Sequence, residues 1–319
     1  IDDERDKKNI AAIVWLCMQS GIDVNVCLHN KFKNLAKQDE NKFLHILKKH
    51  WGDDCEFRPL KFYKNPDESN EHINISQGHI ISDIVQQCES ALNGSENYGD
   101  VFITAPTGAG KSLLFQIPAI HLNRNWHAIT IVVTPLIALM RDQVVKLIEE
   151  NKVDCATFIN SEVTFDEKER RVASIKDGRF SIVYLSPELL LANTIESIIG
   201  DSKIGLLVID EAHLVTTWGR DFRADYWYLG SYIEKMRNTQ KQVFPILCLT
   251  ATAVYMGSED MVLDTQTSLN LRNCKLYLGN VRRDNISFRI KHLKRESNIG
   301  SIDEMKIDIT KQRIGEFIS

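Results

Sequence analysis

Three clusters in this sequence hold residue types that could handle a nucleoside triphosphate. The first is Thr104-Ala105-Pro106-Thr107-Gly108-Ala109-Gly110-Lys111-Ser112. Gly108 and Gly110 let the backbone turn so tightly that successive N–H groups point inward, and a helix starting at the end of the turn adds partial positive charge at the same spot. Thr107, Gly108, Ala109 and Gly110 would then wrap a phosphate chain. Lys111 would reach its β- and γ-phosphates, and the Ser112 hydroxyl would ligate magnesium. The second cluster is Asp210-Glu211-Ala212-His213. Asp210 suits magnesium, usually through water, and Glu211 suits a base that orients and deprotonates an attacking water. Adjacent acids also favour a helix N-terminus, but a phosphate loop upstream in the expected order favours the chemical reading. The third is the single residue Gln77, whose carboxamide offers both an acceptor and donors for the N6–H and N7 edge of adenine, although taken alone it reads more readily as a solvated helix-cap glutamine.

These residues need elements that bring them together. The apolar run Val101-Phe102-Ile103 precedes the phosphate loop, and Leu113-Leu114-Phe115-Gln116 after it opens a helix. Ile129 to Val133 is a near-continuous β-branched run, the pattern of a strand buried on both faces of a parallel sheet. A helix follows from Leu136 to Glu149, and further strands are expected at Ser181 to Leu185, Ile204 to Ile209 and Gln242 to Leu249. An amphipathic helix from Ile80 to Leu92 stops at Asn93-Gly94-Ser95, with Gln77 just before it. The phosphate loop and the acid pair each follow a strand, and in an open α/β sheet that edge is where ligands bind. Upstream, Asp3 to Ser20 and Asn30 to Trp51 show helical spacing and suggest a small helical N-terminal module. From Asp53 to Asn74 the periodicity lapses around Pro59, Pro66 and a polar cluster, which marks a domain boundary.

A length of 319 residues allows about two domains, and 43% apolar with 26% charged residues is ordinary for a globular protein. No apolar run approaches the roughly 20 residues that span a bilayer, so no membrane partner is expected. The seven cysteines form no Cys-x-x-Cys pair. That argues against zinc and for a reducing, intracellular compartment. The net charge of −4 leaves nucleic-acid binding to a local basic stripe.

From about Ile75 to Phe288 the chain resembles the superfamily-two helicases, and within them the RecQ-like DNA helicases. Ser76-Gln77-Gly78-His79-Ile80-Ile81 looks like the glutamine motif that reads adenine. Ala105 to Ser112, with alanine where the strict phosphate loop has glycine, continues into Leu113 to Ala119 and is close to the RecQ form of motif I. Thr134-Pro135-Leu136-Ile137-Ala138-Leu139-Met140-Arg141-Asp142-Gln143-Val144 is similar to motif Ia. Ile159-Asn160-Ser161 and Leu185-Ser186-Pro187-Glu188 look like later DNA-facing segments. Asp210 to His213 matches the DEAH box, and Leu249 to Ala253 matches motif III. His213 to Tyr226, which includes Trp218, Arg220, Phe222 and Arg223, resembles the aromatic-rich loop that couples DNA binding to hydrolysis. Aromatic side chains stack on bases for about 1–3 kcal/mol each, and arginines hold phosphates, although Trp218, Phe222 and Tyr226 are also spaced like a buried helix face.

The resemblance implies an α/β fold: a RecA-like P-loop domain with a mostly parallel sheet flanked by helices, plus the helical N-terminal module. It implies an ATP hydrolase that uses ATP and Mg²⁺ and moves on single-stranded or forked DNA. Lys111, Asp210, Glu211 and His213 would be catalytic, and Thr134, Pro135, Arg141, Asn160, Ser186 and the aromatic loop would meet DNA. His213, Thr250 and Thr252 would relay between nucleotide and DNA. The expected division is 1–70 for the module, 71–290 for the first motor domain and 291–319 for a linker or the start of another domain. RecQ-like enzymes complete the ATP site with two arginines from a second RecA-like domain. No such motif occurs here, so full activity is expected to need that domain or a partner subunit. Phe57-Arg58-Pro59 imitates the family's stretch before the glutamine motif but lies far from Gln77 in sequence, so no adenine-stacking residue is assigned. Two rival readings are an ATP-gated DNA-binding or assembly subunit with weak hydrolysis, and an RNA helicase, which the Trp-Gly-Arg-Asp-Phe-Arg loop disfavours.

Overall fold

The computed structural model describes residues 39–67, 71–216, 224–239, 243–252, 254–255 and 260–279, with short pieces at 12–17, 19–21, 306–307 and 309–311. The chain divides into two compact units, Ile1–Arg282 and Arg283–Ser319. In the second, the described residues 306–307 and 309–311 are helical.

After a short helical piece at 12–17, the first unit has helix α1 (Leu44–Trp51) and an antiparallel hairpin of β1 (Pro59–Tyr63) and β2 (His72–Ser76). It continues through α2 (Gln77–Leu92), β3 (Val101–Thr104), α3 (Leu113–Trp126), β4 (Ile129–Val133), α4 (Ile137–Val145) and β5 (Ala156–Ile159). Then come α5 (Phe165–Lys176), β6 (Ile182–Leu185), α6 (Pro187–Ala192), α7 (Ile195–Ile199), β7 (Ile204–Asp210), α8 (Ala224–Thr239), β8 (Ile246–Thr250), α9 (Met261–Ser268) and β9 (Lys275–Leu278). Strands β3 to β9 form one seven-stranded sheet in the order β5-β6-β4-β7-β8-β3-β9. Every pairing in it is parallel.

Period-two alternation divides the strand side chains between two apolar layers. On one face Val101, Ile103, Val132, Ile182, Tyr184, Leu206 and Val208 pack with residues of α1, α2, α3 and α4. On the other, Phe102, Ile131, Val133, Val183, Leu207 and Ile209 pack with residues of α5 to α9. Cover on both faces is why these strands read as unbroken apolar runs.

Several boundaries differ from the sequence expectation, each for a local reason. Helix α2 starts at Gln77, because the Ser76 hydroxyl accepts the Gly78 N–H at 3.1 Å and so caps the first turn. Helix α4 ends at Val145 and widens into a π turn, Lys146–Glu150. Strand β8 begins only after Pro245, which has no N–H to give the ladder, although its carbonyl accepts from Leu207 at 3.1 Å. The stretch 53–74 contains β1 and most of β2, while Phe43, just before α1, and Ile46 and Leu47 of α1 belong to the same apolar layer as α2 and α3.

At the opposite edge from the strand C-termini, one buried ion pair binds three strands. Asp100, fully buried, takes the Arg237 guanidinium at 2.7 Å and accepts the backbone N–H groups of Ile246 and Arg272 at 2.7 and 2.6 Å. The starts of β3, β8 and β9 therefore share one carboxylate.

Candidate functional site

Strand order decides what meets at the C-terminal edge of the sheet. β8 lies between β3 and β7, so the phosphate loop after β3, Thr250 at the end of β8 and Asp210 at the end of β7 come side by side. Across the sheet, β5, β6 and β4 present Asn160, Ser186 and Thr134 at the same edge.

Gly108 and Gly110 have φ of +84° and +73°, a left-handed backbone that side chains oppose. At Gly110 there is a second reason for glycine, since a Cβ would stand 2.7 Å from Gln77 Nε2. The Ala105 N–H donates to the Thr250 carbonyl at 3.1 Å, which anchors the loop to β8. Lys111 Nζ donates to the carbonyls of Ala105 and Pro106 at 3.0 and 3.3 Å, so the ammonium lies against the loop. Burial holds its pKa below the ordinary value, opposed by the charges of Glu211 and Asp210. Ser112 precedes α3 in helical conformation and makes no capping bond with its side chain. Thr107 and Gly108 are exposed at the loop's crest, with Ala109 half-buried.

Asp210 is buried at the end of β7. Its Oδ1 accepts the Glu211 N–H at 3.1 Å and its Oδ2 accepts the Thr134 hydroxyl at 3.4 Å. Burial, then the neighbouring Glu211 charge, pushes its pKa up to about 6. Glu211 itself sits at φ 52°, ψ 44°, a left-handed conformation that costs a non-glycine residue of order 1–3 kcal/mol and is concentrated at functional sites. Its pKa is raised by burial, with Lys111 pulling it down. His213 Nδ1 stands 2.9 Å from Thr250 Oγ1 and 3.3 Å from Glu211 Oε2. The Thr250 hydroxyl donates to the Thr252 carbonyl at 3.1 Å and accepts the Thr252 N–H, so toward the ring it is an acceptor and the imidazole proton belongs on Nδ1. Burial lowers the His213 pKa, against the attraction of Asp210, which favours the neutral ring.

Gln77 is 1% exposed. Its Nε2 donates to the Ala109 carbonyl at 2.9 Å, and its Oε1 accepts the Arg58 N–H at 3.1 Å. The backbone N–H of Gln77 returns a bond to the Arg58 carbonyl at 3.0 Å. A carboxamide has two N–H donors and two lone pairs, so one of each remains for a base edge after these bonds. The sequence distance between Phe57-Arg58 and Gln77 is therefore misleading: Pro59 pairs with Ser76, and the hairpin brings the two segments into contact. The signal was in the sequence, since Leu60-x-Phe62 and Ile73-x-Ile75 alternate on either side of the turn residues Asn65-Pro66-Asp67.

On the other half of the edge, Arg141 and Asn160 line one groove of about 740 Å³ with Phe158, Thr164 and Arg171. Arg141 is exposed there. The Asn160 carboxamide accepts the Glu162 N–H at 3.0 Å, and Arg171 lies over the Phe158 ring at 4.3 Å. Thr134 and Pro135 are buried, and the Thr134 hydroxyl is directed to Asp210 rather than outward. Ser186 is also buried and caps α6 by accepting the Leu189 N–H at 3.4 Å. Trp218, Arg220, Phe222 and Arg223 lie outside the described residues, as does Ala253. Tyr226 and Trp227 fall within α8.

Nucleotide and magnesium fit this edge. The loop's backbone has the required left-handed glycines, an ammonium lies against it, and two carboxylates whose ionised forms are disfavoured stand beside that ammonium. Among the described residues no group of three or more His, Cys, Asp or Glu gathers to hold a metal ion. A magnesium ion at Ser112 and Asp210 would take phosphate and water oxygens for the rest of its shell, as this ion commonly does. Also among the described residues, no helix is long and apolar enough to cross a membrane.

A profile of the DEAD/DEAH box helicase family matches residues 83–260. The ATP-dependent DNA helicase RecQ of Haemophilus influenzae is 35% identical over 203 residues, covering 64% of this chain and 30% of that protein. The ATP-dependent helicase SGS1 of Saccharomyces cerevisiae is 33% identical over 221 residues, covering 68% of this chain and 14% of that protein. The RecQ-like DNA helicase blm-1 of Caenorhabditis elegans is 36% identical over 214 residues, 65% of this chain and 20% of that one. The chain thus spans less than a third of the length of each of these relatives. Among solved structures, the DEAD-box helicase Mss116 bound to ssRNA and UDP-BeF is similar with a TM-score of 0.50 at 17% identity, covering 80% of this chain and 46% of that one. At that identity the likeness is one of fold.

Proposed function

The chain belongs to the DEAD/DEAH box helicase family, and from that premise we propose that it is the first, ATP-binding motor domain of a RecQ-like DNA helicase. The observation that supports this most strongly is the adjacency of β7, β8 and β3, which sets the acid pair, Thr250 and the phosphate loop at one sheet edge. Gln77 reads adenine with the donor and lone pair left after its bonds to Ala109 and Arg58. The amides of Thr107 to Ser112 hold the phosphates, and Lys111 leaves the carbonyls of Ala105 and Pro106 for the phosphate oxygens. Ser112 and Asp210 hold magnesium, which when bound neutralises charge on the transferred group. Glu211 orients the attacking water and accepts its proton, a role its raised pKa suits, since a base is most useful when its pKa approaches the working pH.

His213 and Thr250 carry the state of this site toward the DNA side, where the groove at Arg141 and Asn160 and the aromatic loop with Trp218, Arg220, Phe222 and Arg223 meet single-stranded or forked DNA. A second RecA-like domain or a partner subunit supplies the arginine that completes the transition state, a contribution worth roughly 10³–10⁵ in rate. A protein with these substrates works inside the cell. The test is steady-state ATP hydrolysis by the full-length protein with single-stranded DNA, with RNA as competitor. We expect strong stimulation by DNA that RNA does not displace. ATP binding without DNA-stimulated turnover would instead support an ATP-gated binding or assembly subunit.

A further inference from the structure

The β1–β2 hairpin lies outside the residues that match the family, 83–260, yet it is joined to the nucleotide site at three places. At its base, Pro59 pairs with Ser76, and Arg58 and Gln77 exchange two hydrogen bonds, one from the Arg58 N–H to the carboxamide oxygen and one from the Gln77 backbone N–H to the Arg58 carbonyl. Along its stem, the fully buried Phe62 packs edge-on against Tyr277 at 5.6 Å and bridges to Gly279 through the backbone. Gly279 is held by the last residue of β3, donating its N–H to the Thr104 carbonyl and hydroxyl at 3.0 and 2.7 Å. A Cβ at Gly279 would stand 2.2 Å from the Thr104 carbonyl oxygen, so the stem, the end of β9 and the start of the phosphate loop are packed backbone to backbone. At its tip, Asp67 accepts a hydrogen bond from the Tyr255 hydroxyl. Tyr255 follows Thr250 and Thr252 and is packed against the apolar layer beneath β8.

We propose that this hairpin is a brace that positions Gln77 for adenine and ties that position, through Asp67 and Tyr255, to the strand end carrying Thr250. The inference rests on the reading of this edge as an ATP site. Gln77 is joined at one end of its carboxamide to the phosphate loop and at the other to Arg58, so its orientation follows the base of the hairpin. The base in turn follows the tip, because the paired strands between them move as a unit. Release of Tyr255 from Asp67 frees the tip and lets the carboxamide drift from the adenine edge while Lys111 and the loop amides still hold phosphate. Burial, and the charge and hydrogen bond of Asp67, raise the Tyr255 pKa, so the phenol stays protonated and keeps donating across the working pH range. Asp67 and Tyr255 are thus positioning residues, acting through Gln77.

The test compares equilibrium binding of ATP and GTP to the full-length protein, to Tyr255→Phe, to Gln77→Ala and to the combined variant. Tyr255→Phe removes one hydroxyl and keeps the ring, so its thermal midpoint should match the parent's. Its ATP affinity should fall about five- to tenfold, the worth of one hydrogen bond, with GTP affinity unchanged. The combined variant should bind ATP no more weakly than Gln77→Ala, because both substitutions act through one carboxamide. Asp67→Asn, which keeps an acceptor, should restore most of the preference lost in Asp67→Ala. An unchanged ATP-to-GTP ratio in Tyr255→Phe, or equal loss of both nucleotides, overturns the brace. A parent protein that binds both nucleotides alike overturns the adenine reading of Gln77 instead, and one that binds neither overturns the ATP-site reading itself.

Discussion

Replacing Asp210 by asparagine should stabilise the fold near neutral pH while stopping its chemistry. The carboxyl is buried at the end of β7, and burial together with the Glu211 charge raises its pKa from 3.8 to about 6. In an unfolded chain the value returns to about 3.9. A difference of about two units corresponds to roughly 3 kcal/mol at most, at 1.36 kcal/mol per unit. The sign follows from proton counting. Between the two pKa values the folded state binds more protons than the unfolded one, so stability falls as pH rises through that window and the cost is complete above about pH 6. Asparagine carries no such cost. It can keep its oxygen on the Glu211 N–H and turn its amide to the Thr134 hydroxyl, so both existing bonds survive in kind. We expect a gain of about 1–3 kcal/mol near pH 7.5, read as a rise in the unfolding midpoint of about 2–4 °C per kcal/mol. The gain should nearly vanish by pH 4, where aspartate is protonated in the folded state. Magnesium-dependent ATP turnover should be lost at every pH. Glu211→Gln should capture part of the same gain, and the double variant should fall short of the sum, because the two charges repel each other. A variant less stable than the parent at pH 7.5, or a gain that does not change with pH, would refute the argument.

Lys111→Ala should weaken ATP binding, whereas Glu211→Gln should bind ATP and fail to turn it over, because it keeps Ser112 and Asp210 and removes the carboxylate proposed as the base. Nucleotide titration beside a hydrolysis assay separates the two, and turnover in Glu211→Gln equal to the parent's would exclude Glu211 from the mechanism. At the far edge of the sheet, Arg237→Ala should cost about 3–5 kcal/mol in denaturant unfolding, since it leaves Asp100 charged and fully buried. Asp100→Asn should also destabilise, because it leaves the buried Arg237 guanidinium without its counter-charge, even though the amide oxygen can still accept one of the N–H groups of Ile246 and Arg272.

How far the fold and site were legible depended on whether the determining contact was local. Strands such as Ile129–Val133 announced themselves because both their faces are covered, which imposes an unbroken apolar run. The phosphate loop and the acid pair were legible because neighbouring residues make their geometry: two glycines with positive φ, an ammonium folded onto its own loop, and a glutamate next to the aspartate it perturbs. The errors lay where one bond decides, as at the Ser76 cap that moves a helix start to Gln77. What was missed was non-local. Arg58 meets Gln77 only through the hairpin register, for which the alternation on either side of Asn65-Pro66-Asp67 was the one sequence signal, and Thr134 turns to Asp210 only because β4 pairs with β7. Segments chosen for resemblance to DNA-facing motifs thus include buried residues such as Thr134 and Ser186, whose hydroxyls serve the protein's own backbone and carboxylates.

The same non-local logic gives Thr250 its place. Had β8 been at the edge of the sheet, the phosphate loop and the acid pair would be direct neighbours and Thr250 would face solvent. With β8 between β3 and β7, its last residue is bonded on both sides: the Thr250 carbonyl accepts the Ala105 N–H at the start of the loop, and its hydroxyl faces the His213 imidazole. His213 is in turn 3.3 Å from the Glu211 carboxylate. A displacement of Glu211 therefore reaches Thr250 through one imidazole, and a displacement of the loop reaches it through one backbone hydrogen bond. From Thr250 the chain continues to Thr252 and then to Tyr255, whose hydroxyl donates to Asp67 at the tip of the hairpin that orients Gln77. The two ends of a bound nucleotide, base and γ-phosphate, would thus be linked through protein bonds that pass through a single strand terminus.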